Sequence, residues 1–178
     1  MRTILLISIG AVDGTIVQAL KEDLKSIFEK SVEIGKGIPE PLDAYHVTRN
    51  QFLSTSILNA IAKETEYTNH EKVLGVADID LYVPGLNFVF GEARQRVALI
   101  SVIRLRQEFY GLPPDPHLFQ RRVLIEAVHE LGHTYGLGHC PNPQCVMFFS
   151  NTLTDTDRKG PEFCLKCKPQ LPSRYPPK

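Results

Sequence analysis

The sequence predicts an α/β fold, in which helices cover a sheet, followed by a small cysteine-rich C-terminal subdomain. Apolar segments typical of buried strands alternate with amphipathic helical segments through the first two thirds of the chain. All four cysteines lie at or after position 140. With 178 residues, 43% of them hydrophobic, the chain is long enough for one globular domain with its own core. We therefore expect a single domain over residues 1–178, divided into a sheet-and-helix part at 1–138 and a cysteine-rich part at 139–178.

The first elements of the chain follow from their apolar patterns. A continuous apolar run from Thr3 to Gly10 is typical of a strand in a parallel sheet that is covered on both faces. Residues 13–28 then carry apolar side chains at helical spacing, and residues 48–65 predict a second amphipathic helix. Thr48, with Gln51 three residues later, matches a capping box, so we expect this second helix to begin at Thr48.

The middle of the chain predicts the remaining strands and one long helix. The strands are expected at residues 73–82, 87–90 and 97–105. A proline-rich break follows, in which Asp115 is a suitable N-cap and Pro116 suits the first position of a helix. The long helix is expected at about 117–137, and the chain ends in a proline-rich, weakly basic segment from Lys166.

Charge and hydropathy exclude some classes of function. The chain has 20 basic and 20 acidic residues, and this balance provides no broad attraction to nucleic acid or to anionic membranes. No apolar run approaches the roughly 20 residues of a membrane span. Arg2 before the apolar stretch Ile4 to Val12 loosely resembles a signal peptide, but no clear cleavage site follows, and a buried first strand explains the stretch better. We expect a cytoplasmic monomer that binds neither nucleic acid nor membrane.

The segment His129 to His139 has the pattern HExxHxxGxxH. On a helix, His129 and His133 lie one turn apart on the same face, so both imidazoles can bind one ion. Gly136 suits the end of the helix, after which the chain can turn back and bring in His139. Three histidines leave the fourth tetrahedral position of zinc open, which is typical of a catalytic zinc site.

Glu130 lies beside the two helical histidines, within reach of a water on the metal. Zinc lowers the pKa of such a water to about 7, and the glutamate can take its proton and later pass it to a leaving amine. The alternative is a helix with surface histidines and a glycine cap, but that leaves the five matched positions unexplained. The other histidines, His46, His70 and His117, have no ligand spacing.

The four cysteines form two short pairs separated by a loop. They are Cys140, Cys145, Cys164 and Cys167. This spacing is typical of a structural zinc site in which four thiolates close the coordination sphere. Two disulfides, free buried thiols and a nucleic-acid-binding zinc ribbon are the alternatives, and the neutral charge of the chain counts against the last.

Residues 129–139, followed by Met147, resemble the metzincin clan of zinc peptidases, and the added cysteines make the segment similar to the archaemetzincin family in particular. The resemblance implies a metzincin-like catalytic domain, with a twisted mixed sheet, a backing helix, an active-site helix and a small zinc-bound C-terminal subdomain. It implies two zinc ions, one catalytic and held by the three histidines, and one structural and held by the four cysteines. It also implies Glu130 as general base and acid, and Met147 as the methionine of the Met-turn.

In metzincins an antiparallel edge strand lines the cleft and pairs with an extended substrate. The resemblance implies that this strand, at about residues 86–90, contributes substrate-binding residues here; the alternative is a plain edge strand. The expected substrate-binding residues are Asn87, Phe88, Val89 and Phe90. The sequence therefore predicts a zinc metallopeptidase that acts on peptides or proteins. The alternative is a latent or non-catalytic protein of the same fold that binds zinc and peptide, but such a protein would not need Glu130.

Overall fold

The computed structural model of the chain describes residues 3–172, so Arg2 and the end of the proline-rich C-terminal segment, residues 173–178, lie outside it. Within this range the chain forms eight strands and four α-helices. In chain order they are β1 (Thr3–Ile9), α1 (Gly14–Phe28), β2 (Ser31–Ile34), β3 (Tyr45–His46), β4 (Gln51–Leu53), α2 (Ser54–Glu64), β5 (Lys72–Ala77), β6 (Leu81–Tyr82), β7 (Gly91–Arg94), β8 (Val97–Ser101), α3 (Pro116–Thr134) and α4 (Leu153–Arg158).

The main sheet has five strands in the order β2-β1-β5-β8-β7. The first four run parallel, and β7 pairs antiparallel with β8 at the edge of the sheet. A smaller sheet contains β3, β4 and β6. The predicted α/β class is confirmed, and the main sheet is mixed because of the single antiparallel strand at its edge.

Helices cover both faces of the main sheet. Ile4 and Leu6 of β1 pack into a core with α1 and α3, whereas Leu5 and Ile7 pack into a second core with α2. Successive side chains of a strand point to opposite faces, so an uninterrupted apolar run fits a strand buried on both sides. The interpretation of the first strand is therefore confirmed.

The predicted start of the second helix at Thr48 is wrong. Residues 51–53 form β4 instead, which pairs with β3 and β6, and α2 begins at Ser54. The side chain of Gln51 does not cap the helix; it donates to Asp80 Oδ2 at 3.1 Å and to the carbonyl of Asn87 at 2.9 Å. These contacts come from segments distant in the sequence, and they outweigh the local capping pattern.

Two predicted strands also have different bounds. The segment expected as one strand at 73–82 is split into β5 and β6, which belong to different sheets. The strand expected at 97–105 ends at Ser101 and is followed by a turn of 3-10 helix. At the break between β5 and β6, Asp78 and Asp80 form ion pairs with Arg106 and Arg104, at 2.6 and 2.5 Å.

The prediction of a strand at residues 87–90 is wrong, because the edge strand β7 begins at Gly91. In the expected segment only Val89 forms a bridge, to Leu81. The residues from Gly91 to Arg94 form the strand because they pair with β8, although their own composition does not favour a strand.

The long helix α3 begins as predicted, since the side chain of Asp115 accepts a hydrogen bond from Leu118 N at 3.0 Å and Pro116 is its first residue. It ends at Thr134, and Gly136 follows with φ 89°. The short helix α4 was not expected; Thr152 and Asp155 cap it reciprocally. Within residues 3–172, no helix has the length and apolar character to cross a membrane.

Candidate metal centre

Three imidazoles converge at the C-terminal end of α3. His129 and His133 lie one turn apart on the helix, and their Nε2 atoms are 3.1 Å from each other. The turn at Gly136 directs the chain back, so that one ring nitrogen each of His129, His133 and His139 lie within 4.8 Å of one another. His129 is buried, His133 is half-buried and His139 is exposed, so the group is open on one side.

The two helical histidines are held in the orientation that a metal requires. The carbonyl of Val146 lies 2.7 Å from His129 Nδ1, and the carbonyl of Leu137 lies 2.8 Å from His133 Nδ1. A carbonyl only accepts hydrogen bonds, so each Nδ1 carries the proton and each Nε2 is left with a free lone pair. Zn–N bonds of about 2.1 Å in a tetrahedron place neighbouring nitrogens about 3.4 Å apart, close to the distance between the two Nε2 atoms.

Burial also favours the neutral form of these rings. It lowers the pKa of His129 well below its ordinary value, and the nearby Lys159 acts in the same direction. Burial likewise lowers the pKa of His133 and of His139. A metal binds the neutral imidazole, so the surroundings of the three rings suit a cation between them.

Glu130 lies beside the histidines with its carboxyl group buried at the base of the cleft. It is 6% exposed, and burial, with the negative charge of Glu126 second, raises its pKa well above the ordinary value. The edge strand approaches it closely at Gly91, where a Cβ would lie 2.6 Å from Glu130 Cγ. The glycine therefore makes the space that the carboxyl group occupies.

The cleft over this group has a volume of about 370 Å³ and is bounded by α3, by β7 and the segment before it, and by the segment after Met147. The expected substrate-binding residues all border it: Asn87, Phe88, Val89 and Phe90. Glu92 of β7 also borders the cleft, and the hydroxyl of Thr55 donates to its two carboxylate oxygens at 3.0 and 3.2 Å. Phe149 lies on the opposite side, with its ring centroid 4.8 Å from that of His139.

Met147 lies directly beneath the histidines. It is 0% exposed, and its sulfur occupies the space where a side chain on Gly132 would begin. The amide of Cys140 donates to the carbonyl of Met147 at 2.8 Å, which ties the residue after His139 to this turn. The turn at Met147 therefore packs against α3 at the glycine between His129 and His133.

The four cysteines come together as the spacing predicts. Their sulfur atoms lie within 4.8 Å of one another, and Cys140 Sγ is 3.8 Å from Cys164 Sγ. All four are free thiols, so the two-disulfide alternative is not supported. Zn–S bonds of about 2.3 Å in a tetrahedron place neighbouring sulfurs about 3.8 Å apart. The amides of Cys167 and Lys166 lower the pKa of Cys164 to about 6, whereas burial raises the pKa of Cys145 and of Cys167, so Cys164 is the thiol of the group that loses its proton most readily.

Two buried residues next to the metal centre were not expected from the sequence. Glu126 is 3% exposed and Lys159 is 0% exposed, and Lys159 Nζ lies 3.4 Å from Glu126 Oε1. The spacing on α3 is a signal for Glu126, because it precedes Glu130 by four residues and so shares its face of the helix. Lys159 has no such signal, because its partners lie far from it in the sequence.

Three neutral imidazoles form a group that is open on one side, with a buried carboxyl group beside them. The edge strand of a mixed sheet lies above this group, and the turn at Met147 lies beneath it. These features define a zinc-dependent peptidase of the metzincin kind. The family model of Peptidase family M54 matches residues 17–173, and the chain belongs to this family. The resemblance to archaemetzincins is thereby confirmed.

Individual relatives are similar to this protein over nearly the whole chain, in sequence and in structure. The archaemetzincin of Pyrococcus abyssi is 42% identical over 178 residues, covering 96% of this chain and 95% of that protein. A crystal structure of archaemetzincin from Methanopyrus kandleri matches with a TM-score of 0.82 at 39% identity, covering 94% of this chain and 92% of that one. A zinc-dependent peptidase from Methanocorpusculum labreanum matches with a TM-score of 0.85 at 31% identity, covering 95% and 100%. The predicted zinc metallopeptidase is confirmed, and the non-catalytic alternative is not favoured.

Proposed function

We propose that this zinc peptidase cleaves peptide bonds with Glu130 as its general base and acid, and that His129, His133 and His139 hold the catalytic zinc. The observation that carries the proposal is the fixed orientation of the rings: His129 and His133 each direct Nε2 toward a common point, because each Nδ1 is bound to a backbone carbonyl. Glu130 borders the same cleft as the three rings. Cys140, Cys145, Cys164 and Cys167 hold a second, structural zinc.

The chemistry divides between the metal and the chain. Zinc, when bound, supplies the Lewis acidity that polarises the scissile carbonyl and makes water a better nucleophile. Glu130 takes a proton from the attacking water onto its carboxylate and then delivers it to the nitrogen of the leaving amine. The buried surroundings of Glu130 exclude bulk water, so the proton stays between the reacting groups.

An extended peptide is the expected substrate. Within residues 3–172, β7 pairs with β8 on one side only, so its other edge can accept a substrate chain as an additional strand. Asn87, Phe88, Val89 and Phe90 lead into β7 and border the cleft, and we propose them as substrate-binding residues. Phe149, on the opposite side of the cleft, packs against the ring of His139.

The proposed domain organisation is the one expected from the sequence. We propose one catalytic domain over residues 1–178, in which the part at 1–138 carries the sheet and the helical ligands and the part at 139–178 carries the third histidine and the cysteines. That the protein is a cytoplasmic monomer stays a prediction. The expectation that it binds neither nucleic acid nor membrane, which rests on its balanced charge and hydropathy, also stays a prediction.

The test compares the zinc-loaded protein with Glu130→Gln, which keeps the size of the side chain and removes the base. Wild type is expected to contain two zinc ions per chain and to cleave peptides in a mixed library. The variant is expected to contain the same amount of zinc and to lose about a hundredfold or more of kcat. Glu64→Gln removes an equivalent charge from an exposed position of α2 and serves as the matched control.

Two results would contradict the proposal. Undiminished cleavage by Glu130→Gln would show that another group transfers the proton. A wild-type protein with two zinc ions that cleaves no member of the library would show that the cleft does not hydrolyse free peptides.

A further inference from the structure

Lys159 is a lysine with no exposed surface, located beside the metal centre. It is 0% exposed, and its Nζ atom lies 3.1 Å from the carbonyl oxygen of Phe148 and 3.4 Å from Glu126 Oε1. His129 Nδ1 is also within 3.4 Å of Nζ. Burying an ammonium group is costly unless it is paired and hydrogen-bonded, so a fully buried lysine at this point needs a reason.

The lysine connects the catalytic helix to the C-terminal part of the chain. Glu126 belongs to α3, and its Oε1 also accepts a hydrogen bond from Thr156 of α4 at 2.9 Å. Arg122, one turn earlier on α3, binds both carboxylate oxygens of Asp157 at 2.7 Å. The segment that carries Lys159 is therefore attached to two successive turns of α3. These contacts hold the ammonium group between Glu126 and the carbonyl of Phe148.

The two backbone carbonyls that flank Met147 are both held by this group of residues. His129 Nδ1 donates to the carbonyl of Val146 at 2.7 Å, and Lys159 Nζ donates to the carbonyl of Phe148 at 3.1 Å. The orientation of the His129 ring depends on the position of the first carbonyl. The carbonyl of Val146 is positioned by the turn around Met147. Lys159 binds the same turn at the carbonyl of Phe148.

We propose that Lys159 is a positioning residue of the peptidase site: by binding the carbonyl of Phe148 and the carboxylate of Glu126, it holds the turn at Met147 against α3 and so keeps His129 oriented toward zinc. The inference rests on the proposed function, because it takes His129 as a ligand. Lys159 touches neither substrate nor metal in this scheme. A simpler role, in which the lysine only neutralises Glu126, predicts different behaviour.

Three variants separate the two roles. Lys159→Met removes the ammonium group and keeps a flexible side chain, but it leaves the buried carboxylate of Glu126 unpaired. Glu126→Gln removes that carboxylate, and the double variant removes both charges. Lys63→Met makes the same substitution at an exposed lysine of α2 and is the matched control.

The zinc affinity of the histidine site, measured by competition with a chelator, is the main measurement. Loss of a group that orients a metal-binding histidine typically weakens metal binding or activity about 10- to 100-fold. We expect that weakening in Lys159→Met, with a fall in kcat and little change in KM. The four-cysteine zinc serves as an internal reference, because a general loss of structure would weaken both sites.

The double variant distinguishes positioning from charge compensation. We expect it to recover resistance to urea relative to Lys159→Met, since no unpaired carboxylate remains, but to keep the weakened zinc affinity. Recovery of wild-type zinc affinity and kcat in the double variant would overturn the proposal, and so would wild-type affinity in Lys159→Met. Because zinc binding is measured without substrate, a protein that binds zinc in this pattern but cleaves no peptide would contradict the proposed function and leave the role of Lys159 intact.

Discussion

The sulfur of Met147 fills the space next to Gly132, in the last turn of α3: a Cβ built on Gly132 would lie 2.4 Å from Met147 Sδ. The glycine belongs to the segment between His129 and His133. The turn at Met147 thus approaches α3 at the one position between His129 and His133 that has no side chain. The small size of Gly132 determines how close the turn can come.

Gly132→Ala should therefore destabilise the protein. Met147 is fully buried, so its sulfur can move only by displacing its neighbours. Overpacking costs about 1–3 kcal/mol, and the better helix propensity of alanine offsets up to about 1 kcal/mol of this. We expect a net loss of about 1 kcal/mol in the free energy of unfolding, measured with urea. Gly138→Ala is the control, because in the described part of the chain no heavy atom beyond the adjoining residues lies within 4 Å of the new Cβ. Equal stability of the two variants would disprove the tight contact.

Gly91→Ala should reduce activity while the zinc content stays the same. The new Cβ would lie 2.6 Å from Glu130 Cγ and 2.7 Å from the carbonyl oxygen of Leu99, so the carboxyl group of Glu130, the proposed general base, and the edge strand cannot both keep their places. Misplacement of a catalytic group by about 1 Å can cost on the order of 100-fold in rate. We expect such a fall in kcat, with two zinc ions retained.

The control for this variant is Gly14→Ala at the start of α1, where no heavy atom of residues 3–172 other than the adjoining backbone and neighbours lies within 4 Å of the new Cβ. Elemental analysis and steady-state kinetics on both proteins provide the comparison. Unchanged kcat in Gly91→Ala would mean that β7 can move away from α3 at no cost to catalysis.

Replacing Cys164 and Cys167 with serine should remove one zinc ion per chain and lower the melting temperature. A structural zinc contributes directly to folding free energy, so the expected loss of stability is several kcal/mol. Because Cys140 directly follows His139 and its amide binds the carbonyl of Met147, we also expect weaker zinc binding at the histidine site. Lys166→Ser, an exposed substitution between the two cysteines, is the control. A double variant that keeps two zinc ions and its melting temperature would contradict a four-cysteine site.

Glu92→Gln should change the preference among substrates. Within residues 3–172, the acidic residues that border the cleft are Glu92, Glu126 and Glu130. Glu126 is paired with Lys159, whereas the hydrogen bonds to Glu92 come from the neutral hydroxyl of Thr55. A partly exposed charge pair is worth up to about 1 kcal/mol, or about fivefold in kcat/KM. We expect peptides with a cationic side chain to lose that factor relative to neutral peptides. Glu64→Gln controls for net charge, and an identical ratio for both variants would exclude Glu92 from substrate selection.

The parts of the site that the sequence predicts well depend on short-range geometry. The spacing of His129 and His133 determines that both lie on one face once a helix forms, and Asp115 with Pro116 determines where that helix begins. The left-handed backbone at Gly136 follows from the same local reasoning. The spacing of the cysteines likewise predicts their cluster, because four thiols in two close pairs match one tetrahedral site.

The errors occur where distant segments pair with each other. Thr48 and Gln51 match a helix-capping pattern, yet Gln51 begins β4, because Phe52 pairs with Leu81. The edge strand forms at Gly91 to Arg94, not at the more apolar residues before it, because strand pairing is set by the register with β8. Strand propensity depends strongly on such context, so a single sequence predicts these bounds poorly.

By itself, the sequence determined the α/β class, the active-site helix, the histidine and cysteine groups and the glutamate, because helical periodicity and ligand spacing act over a few residues. Only the tertiary structure decided that Gly91 makes room for Glu130 and that Lys159 binds between Glu126 and the turn at Met147. These contacts join residues about 30 to 40 positions apart, or a side chain to a backbone carbonyl in a loop. They form only when α3, β7 and the C-terminal part pack together, since no local pattern brings such groups within a few ångströms.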